Sequence, residues 1–438
     1  MNGNEMYQLA ERLFPINRSL TGDGVRQSLL VLKEYIPELQ IHEVPSGTKA
    51  FDWIVPDEWN IREAYIENED GKKIIDFADC NLHVIGYSEP IDKYVSYEEL
   101  QKYLVVEDSR PNAIPYVTSY YQKRSGFCMS KNQRDGLKEG KYHLYIDSEL
   151  KKGYMTYGEI IIPSTMEKNQ NKEVFFSTYI CHPSMANNEL SGPCLMVALI
   201  DAIKKMKIRR YHYRFLIAPE TIGAIYYLSQ NFTEMKKNIV AGYVLTCVGD
   251  DRDISYIASR FGNTLADRVA LNVLNYSNSY FHKYSFLDRG SDERQYCAPG
   301  IDLPVCVVCR SKYGCYPEYH TSDDNMALIS PQGLEGTKKI YLEIIRVLEY
   351  NKYYKMNCLC EPQLGKRGLY PTLSKKNSYG NIKPMLDFIA YADGRLDLLE
   401  ISEIIAQPIP VLIPIIDKLI ENGLLSDEST RGDFDELI

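Results

Sequence analysis

The periodicity of hydrophobic and polar positions changes several times along the chain. From residue 153 to about 354, apolar runs rich in β-branched residues alternate with amphipathic stretches of helical period. The apolar runs predict strands at 174–180, 213–218, 239–248 and 304–310. The amphipathic stretches predict helices at 192–206, 223–231 and 336–349. Such alternation is typical of a largely parallel sheet that is covered by helices on both faces.

The flanking parts of the chain have other patterns. Residues 5–35 predict two helices around a glycine-containing loop at 21–24, and short alternating runs over 41–121 predict a mainly β insert. The strands predicted in the insert are 60–67, 73–77, 81–87 and 114–120. Three short helical patterns near the C-terminus predict a winged-helix or helix-turn-helix module, and they cover 385–391, 399–405 and 410–421.

The patterns together predict an α/β fold class, in which a mostly parallel sheet domain carries a β-rich insert and a C-terminal winged-helix module. The predicted boundaries are 1–40 with 122–355 for the α/β domain, 41–121 for the insert, and 356–438 for the winged-helix-like domain. In parallel sheets, ligands bind beyond the carboxyl ends of the strands. Candidate chemistry is therefore sought in the segments that follow the predicted strands.

Composition and charge narrow the classes of function. The net charge of −9 argues against a large nucleic-acid or membrane footprint, which needs a basic face. The chain has no run of about 18 apolar residues, and its first residues lack the basic-then-apolar profile of a signal peptide. Its 11 cysteines are an odd number without a framework spacing, as expected for reduced thiols. We therefore expect a cytoplasmic protein with no membrane partner.

Three polar groups follow predicted strands. His182 comes directly after a strand and precedes a Ser-Gly pair that opens a helix, which suits a metal ligand; the alternative is a loop histidine with local hydrogen bonds. Glu220 at a strand-to-helix junction suits a general base beside a metal; the alternative is a glutamate favoured by the helix dipole. His320, with acidic neighbours, suits a second ligand; the alternative is a turn histidine.

Taken in this order, the motifs resemble those of zinc aminopeptidases with two co-catalytic metals. That family carries His-x-Asp, Asn-Asp-x-x-Ser-Gly, Glu-Glu-x-Gly, a further Asp and a final Tyr-His-Thr. By this resemblance His182 and His320 match metal histidines, and Glu220 matches the general base. The resemblance covers residues 5–40 and 150–350 and implies a zinc-exopeptidase-like fold.

The chain departs from that family at all three metal carboxylates. Asn188 falls at the bridging aspartate, Thr221 at the second-metal glutamate and Thr246 near the terminal aspartate. A neutral amide or hydroxyl does not offset dipositive charge as a carboxylate does. The resemblance therefore implies one zinc ion, held by the two histidines and by Asn188 or the adjacent Glu189. A metal-free binding pocket is the alternative.

The whole chain is also similar to a less studied bacterial branch of this fold, which has an inserted β domain and a C-terminal winged helix. The similarity rests on the runs LFPINRSLTG at 13–22, VPSGT at 44–48, FDW at 51–53 and IPYVTSYY at 114–121, besides the three motifs. Members of this branch are often named for polysaccharide biosynthesis. The resemblance implies the fold more strongly than it implies a substrate.

The C-terminal module is too acidic to favour binding to a nucleic-acid duplex. From residue 384 to 438 it has three Lys or Arg and twelve Asp or Glu residues, so three minus twelve gives −9. Its third predicted helix, over 410–421, is apolar nearly all round and contains Pro414. Such a helix packs against protein, so we expect docking to a protein partner, homo-oligomerisation or simple packing in preference to nucleic-acid binding.

The leading hypothesis is a metal-dependent hydrolase of the aminopeptidase class that cleaves an amide in a small peptide, amino-acid or amino-sugar conjugate. By position beside His320, we expect Tyr313, Glu318 and Tyr319 to line the substrate pocket. The opposing hypothesis is a catalytically inactive binding or scaffold protein that kept the fold. A third is a transcription regulator with a ligand-sensing domain.

Overall fold

A computed structural model describes residues 1–166, 171–277, 280–370, 380 and 382–428, without the side chain of residue 428. The chain forms two compact units. The first comprises Met1–Asp267 and Tyr280–Lys339, and the second comprises Arg268–Ser279 and Ile340–Ile438.

The first unit is built on an eight-stranded sheet within the described residues. Its strands in chain order are β1 Gln40–Pro45, β2 Tyr154–Ile162, β3 Glu173–Tyr179, β4 His212–Ala218, β5 Ile239–Val244, β6 Ser255–Ile257, β7 His282–Tyr284 and β8 Val305–Cys309. Their order across the sheet is β1-β2-β4-β3-β5-β8-β6-β7. The four central strands β4, β3, β5 and β8 are mutually parallel, and antiparallel strands extend the sheet on either side. The predicted α/β class with a mostly parallel sheet is confirmed.

The central strands are buried on both faces, which explains their continuous apolar runs. Every residue of β3 and β8 is buried. The longer helices of this unit are Gly3–Leu13, Asp23–Tyr35, Ser191–Lys204 and Ile222–Asn238, and Leu265–Tyr276 and Pro331–Tyr350 begin in it and continue into the second unit. The helix Ser191–Lys204 approaches the sheet closely at Gly192, where a Cβ would lie 2.3 Å from Thr178 Oγ1 and 2.4 Å from the Leu245 carbonyl oxygen. Glycine is required there because any side chain would push the helix off the strand ends.

A second, antiparallel sheet lies in the insert. Its strands are Lys73–Asp76, Glu58–Asn68, Lys141–Lys151 and Ile91–Ser96, in that order across the sheet. They share an apolar core that includes Ile66, Phe127 and Leu144. One of these strands, Lys141–Lys151, comes from beyond the 41–121 segment, while β1 at the start of that segment belongs to the main sheet.

Two predicted strands of the insert are wrong. Residues 81–87 contain a short 3-10 helix, Asn81–His83, and residues 114–120 form isolated bridges at Pro115 and Thr118 instead of a ladder. Proline has no N–H to donate, which limits pairing of this segment. Tyr116 instead donates its backbone N–H to the carbonyl oxygen of His320 at 2.9 Å. The segment therefore lies against the loop that carries His320.

The second unit has the architecture of a winged helix. It contains the helices Lys383–Tyr391, Leu398–Ile404 and Ile409–Glu421, and a three-stranded antiparallel sheet of Tyr353–Met356, Asp393–Asp397 and Leu425–Glu428. The predicted module is confirmed. The third helix, Ile409–Glu421, buries Leu412, Ile416 and Leu419 despite Pro414 in its interior. Within the described residues, no single helix is long and apolar enough to span a membrane, although the bent pair Leu398–Ile404 and Ile409–Glu421 passes a test of length and composition.

Candidate functional site

The carboxyl ends of the central strands bring the predicted site residues to one edge of the sheet. His182 follows β3 by three residues, Glu220 follows β4 by two, and His320 lies on the loop after β8. The imidazole rings of His182 and His320 have centres 5.3 Å apart. The Nε2 atom of His182 lies 3.7 Å from Oε2 of Glu220. The three residues singled out from separate motifs therefore converge.

Aromatic rings enclose the two histidines. Tyr116 lies 5.1 Å from the His182 ring and 5.2 Å from the His320 ring, measured between centres. Tyr319 stacks on His320 at 3.9 Å, and Tyr179 lies 5.4 Å from His182. Burial and the neighbouring His182 lower the pKa of His320 to about 3. His320 is therefore a neutral imidazole with a free lone pair at neutral pH.

The ring of His182 is oriented by a carboxylate at Nδ1, the ring nitrogen that points away from Glu220. Its Nδ1 atom lies 2.7 Å from Oε2 of Glu189, which leaves Nε2 directed toward Glu220. Burial opposes protonation, but the electrostatic effects of neighbouring groups, the Glu189 carboxylate among them, outweigh it and raise the pKa of His182 well above its usual value. A carboxylate that orients a histidine in this way is typical of metal sites.

Glu189 in turn pairs with a buried arginine. Nε of Arg18 lies 3.5 Å from Oε1 of Glu189 and donates to the carbonyl oxygen of His182 at 3.0 Å. Arg18 also donates from Nη1 to the carbonyl oxygen of Leu13 at 2.7 Å, and both charged side chains are fully buried. Sequence reasoning did not assign Arg18 a role, although it lies in the run 13–22. A charged residue inside a run that also includes Leu, Phe and Ile was the available signal.

Asn188, which bonds Tyr179 beside His182, has an unpaired side-chain oxygen. Its Nδ2 donates to the hydroxyl of Tyr179 at 2.9 Å, and its backbone N–H donates to Asp324 at 3.0 Å. Its Oδ1 is buried and has no hydrogen-bond partner among the described residues. A buried amide oxygen without a partner is costly unless something binds it.

Thr246 and Asp324 hold the Asn188 loop in place. The hydroxyl of Thr246 donates to the carbonyl oxygen of Asn188 at 3.0 Å and bonds the hydroxyl of Tyr179 at 2.6 Å. The carboxylate of Asp324 accepts from the backbone N–H groups of Asn187 and Asn188 and from the hydroxyl of Tyr316. Burial raises the pKa of Asp324 to about 6. Both residues therefore position the loop through its backbone.

Glu220 lies at the start of a turn that the carboxylate of Asp292 helps to hold. Its backbone N–H donates to Sγ of Cys181 at 3.3 Å, and burial raises the pKa of its carboxyl, partly offset by His182 and Arg294. The next residue, Thr221, has a φ of 66° and donates its N–H to Oδ1 of Asp292 at 2.8 Å. A β-branched residue in this conformation is strained, so the Asp292 bond helps to hold the turn that aims Glu220. Sequence reasoning missed Asp292, because residues 285–298 carry no strand or helix pattern.

The three predicted pocket residues lie at different depths. Tyr319 contacts His320 directly. Tyr313 is buried and donates its hydroxyl to Oε1 of Glu293 at 2.5 Å. Glu318 forms a two-point ion pair with Arg252, at 3.0 and 3.1 Å. Of the three, Tyr319 has the most direct access to the two histidines.

Within the described residues, Cys181, His182 and Glu189 form a group whose ligand atoms lie within 4.8 Å of one another. That group offers a poor cation site, because Glu189 already pairs with Arg18. Burial also raises the pKa of the Cys181 thiol to about 11, which keeps it protonated. The better donors face the other side of His182, where Nε2, the His320 ring and Glu220 meet.

Two protein families match the chain. A family described as a domain of unknown function, DUF4910, matches residues 7–351, and a winged helix-turn-helix family matches residues 352–427. A Clostridium acetobutylicum protein named as a putative polysaccharide biosynthesis protein with aminopeptidase-like domain is 44% identical over 406 residues, which is 91% of each chain.

The fold of the chain is similar to that of solved structures of peptidases. The crystal structure of a putative peptidase from Clostridium acetobutylicum matches with a TM-score of 0.90 and 42% identity, over 97% of this chain and 96% of that one. BSAP, a zinc aminopeptidase from Bacillus subtilis, matches with a TM-score of 0.59 over 79% of this chain and 95% of that one, and its 12% identity supports the fold alone. The predicted aminopeptidase-like fold with a C-terminal winged helix is confirmed, and the chain belongs to the DUF4910 family.

Proposed function

We propose that the protein is a metal-dependent hydrolase of the aminopeptidase class, which cleaves an amide in a peptide or in an amino-acid or amino-sugar conjugate. The observation that carries the proposal is the convergence of His182, His320 and Glu220 at one edge of the sheet, with His182 oriented by a buried carboxylate. The relative named for polysaccharide biosynthesis supports a conjugate from surface-polysaccharide metabolism as the substrate class.

The donors present fit one zinc ion. Two imidazoles on one tetrahedral zinc have ring centres about 5 Å apart, since each nitrogen lies about 2.0–2.1 Å from the metal. The 5.3 Å spacing of His182 and His320 agrees with that geometry. The unpartnered Oδ1 of Asn188 is a third candidate donor. Glu189 is engaged by Arg18 and by the far side of His182, which favours Asn188 over Glu189 as a ligand.

The chain's own groups would then have separate roles in the reaction. When bound, zinc supplies Lewis acidity that polarises an amide carbonyl and lowers the pKa of water. Glu220 accepts the proton of the attacking water at its carboxylate and delivers a proton to the leaving amine. Its raised pKa moves it toward neutrality, where a general base works best. Tyr116 and Tyr319 flank the histidines and keep bulk water away from them.

The main alternative is a binding or scaffold protein that has lost the chemistry. It is favoured by the loss of metal carboxylates at Thr221 and Thr246, since the Thr246 hydroxyl is used in structural hydrogen bonds. For the C-terminal module we propose docking to protein, because its third helix, Ile409–Glu421, leaves the apolar side chains of Val411 and Ile420 each 42% exposed.

Elemental analysis of the purified protein tests the proposal. About one zinc per chain is expected in the wild type, and loss of that zinc is expected in both His182→Ala and His320→Ala. The matched control is His282→Ala, because His282 pairs with Asp253 at the edge strand β7. The metal-loaded protein is then screened against aminoacyl anilides and acylated amino sugars. Absence of zinc after metal supplementation, or zinc that survives in both variants, contradicts the proposal.

Zinc binding should depend on pH. Because the pKa of His182 is raised well above its usual value, His182 carries a proton at neutral pH that zinc must displace. The apparent zinc affinity should therefore increase by about tenfold for each unit of pH rise until that pKa is reached. His320, already neutral, adds no such dependence in this range. Chelator competition at several pH values measures the slope, and an affinity that is flat with pH contradicts this assignment.

A further inference from the structure

An open cleft with a volume of about 630 Å³ lies in the first unit, away from the two histidines. Its wall is aromatic and apolar, with Trp53, Ile54, Tyr120 and Tyr121 among the lining residues. Ile54 is 50% exposed and Tyr121 is 51% exposed. Large apolar side chains grouped on a concave surface mark a ligand-binding groove more often than chance exposure does.

The aromatic rings of the cleft form a connected set. Trp53 and Tyr121 have centres 5.5 Å apart at 67°, and Tyr121 lies 4.3 Å from Tyr120. The hydroxyl of Tyr121 donates to the carbonyl oxygen of Ile54 at 3.1 Å. This bond fixes Tyr121 beside the short hairpin of Lys49–Ala50 and Trp53–Ile54. The cleft therefore presents ring surfaces in a defined arrangement.

The rim of the cleft is polar and bears both charges. Lys123 pairs with Glu89 at 2.9 Å, and Lys152 pairs with Asp57 at 2.6 Å. Asp52, also at the cleft, forms no salt bridge among the described residues. The cleft thus combines ring faces with carboxylates and ammonium groups that can bond hydroxyl groups. The polar rim distinguishes this cleft from a wholly apolar pocket of the kind that suits a hydrophobic peptide side chain.

Two connections join the cleft to the candidate site. The segment that places Tyr116 between the two histidines continues to Tyr120, and four residues span at most about 14 Å. The helix Ile222–Asn238, which begins just after Glu220, packs against the hairpin that carries Trp53. One extended ligand of modest length can therefore reach both places.

We propose that this cleft binds a sugar ring of the substrate, so that the substrate class is a glycoconjugate whose amide lies at the histidines. The C–H face of a pyranose packs on Trp53 and Tyr121, while its hydroxyl groups bond Asp52 and the charged rim. This inference rests on the proposed function for the fate of the amide. Sugar binding itself requires neither zinc nor turnover, so the two can fail separately.

Calorimetric titration of the full-length protein with di-, tri- and tetrasaccharides of N-acetylglucosamine, and with matched glucose oligomers, tests the inference. Binding by at least one series is expected, with about tenfold weaker affinity in Trp53→Ala and in Tyr121→Ala. Tyr94→Ala is the matched control, because Tyr94 is 72% exposed on the insert sheet and is not a lining residue of the cleft. Glu220→Gln should bind the saccharide as the wild type does.

Tryptophan fluorescence gives an independent readout. The chain has two tryptophans, and Trp59 is buried at 3% exposure, so a spectral shift on titration reports mainly on Trp53. No binding by either saccharide series, or binding that neither Trp53→Ala nor Tyr121→Ala weakens, overturns the inference. A leucyl dipeptide amide that shifts the emission where the saccharides do not also overturns it. Saccharide binding by a protein that holds no zinc would support the sugar-binding role of the cleft and contradict the proposal of a zinc-dependent hydrolase.

Discussion

Replacing Glu220 with glutamine is expected to lower kcat for an amide substrate by about 10²–10⁴-fold, which is the usual contribution of a general base. Glutamine keeps the size of the side chain but accepts no proton at neutral pH. The carboxylate lies 3.7 Å from Nε2 of His182, on the side away from Glu189. Steady-state kinetics with the substrate found by screening measure the loss.

Zinc content separates a base from a ligand in this experiment. If Glu220 acts on water, Glu220→Gln should retain about one zinc per chain while it loses turnover. Glu234→Gln is the control, because Glu234 lies on the helix that follows Glu220 and is more than half exposed. Turnover equal to that of the wild type would refute the assigned role. Simultaneous loss of zinc would instead make Glu220 a metal ligand.

The position of this chemistry could be predicted because parallel strands end together. His182 and Glu220 follow β3 and β4, which pair in parallel, so the topology alone brings their loops to one edge. The buried strands were recognisable as continuous apolar runs, and the boundaries of β3 and β4 differ from the predictions by one residue. Periodicity and topology thus sufficed for the sheet and for these two side chains.

The remaining parts of the site come from segments without periodic signal. Tyr116 reaches the histidines from a stretch predicted to be a strand, but scattered backbone bonds to other loops, such as its own N–H to the carbonyl oxygen of His320, hold it there. Asp292 supports the strained Thr221 from an irregular loop more than 70 residues away. No pattern within either segment encodes these contacts, because each depends on the tertiary path of another loop. The motif resemblance also could not decide whether Asn188 or Glu189 is the candidate ligand. The two residues are adjacent in the sequence, and they differ in the hydrogen-bond and ion-pair partners of their side chains.

Those partners explain how the site differs from one with two metals. Thr246, near the position of a metal carboxylate, donates its hydroxyl to the backbone of the Asn188 loop. The hydroxyl of Tyr179 bonds both Thr246 and Asn188. Thr246 and Asn188 are thus tied together by neutral hydrogen bonds, and the Thr221 hydroxyl accepts from Arg294 at 2.7 Å. The Oδ1 of Asn188 has no hydrogen-bond partner among the described residues. The loss of carboxylate ligands at these positions supports the proposal of one metal ion over two.

Replacing Arg18 with methionine is expected to lower the free energy of unfolding by about 3–5 kcal/mol, which is typical when one partner of a buried ion pair is removed. The side chains of Arg18 and Glu189 are both fully buried, 3.5 Å apart at their nearest charged atoms. Methionine fills most of the space but leaves the Glu189 carboxylate without its cation and the carbonyl oxygens of Leu13 and His182 without their donor. Urea unfolding in the presence of a chelator measures the change without a contribution from metal.

The double variant Arg18→Met with Glu189→Gln distinguishes charge from packing. If an uncompensated carboxylate causes the loss, neutralising Glu189 should recover part of it, since replacing both partners of a buried pair is far less costly than replacing one. Arg12→Met is the control, because Arg12 forms an exposed pair with Glu34 and should unfold as the wild type does. A double variant no more stable than Arg18→Met would show that Arg18 acts by filling space. Recovery of stability without recovery of zinc affinity would show that Glu189 is needed to orient His182.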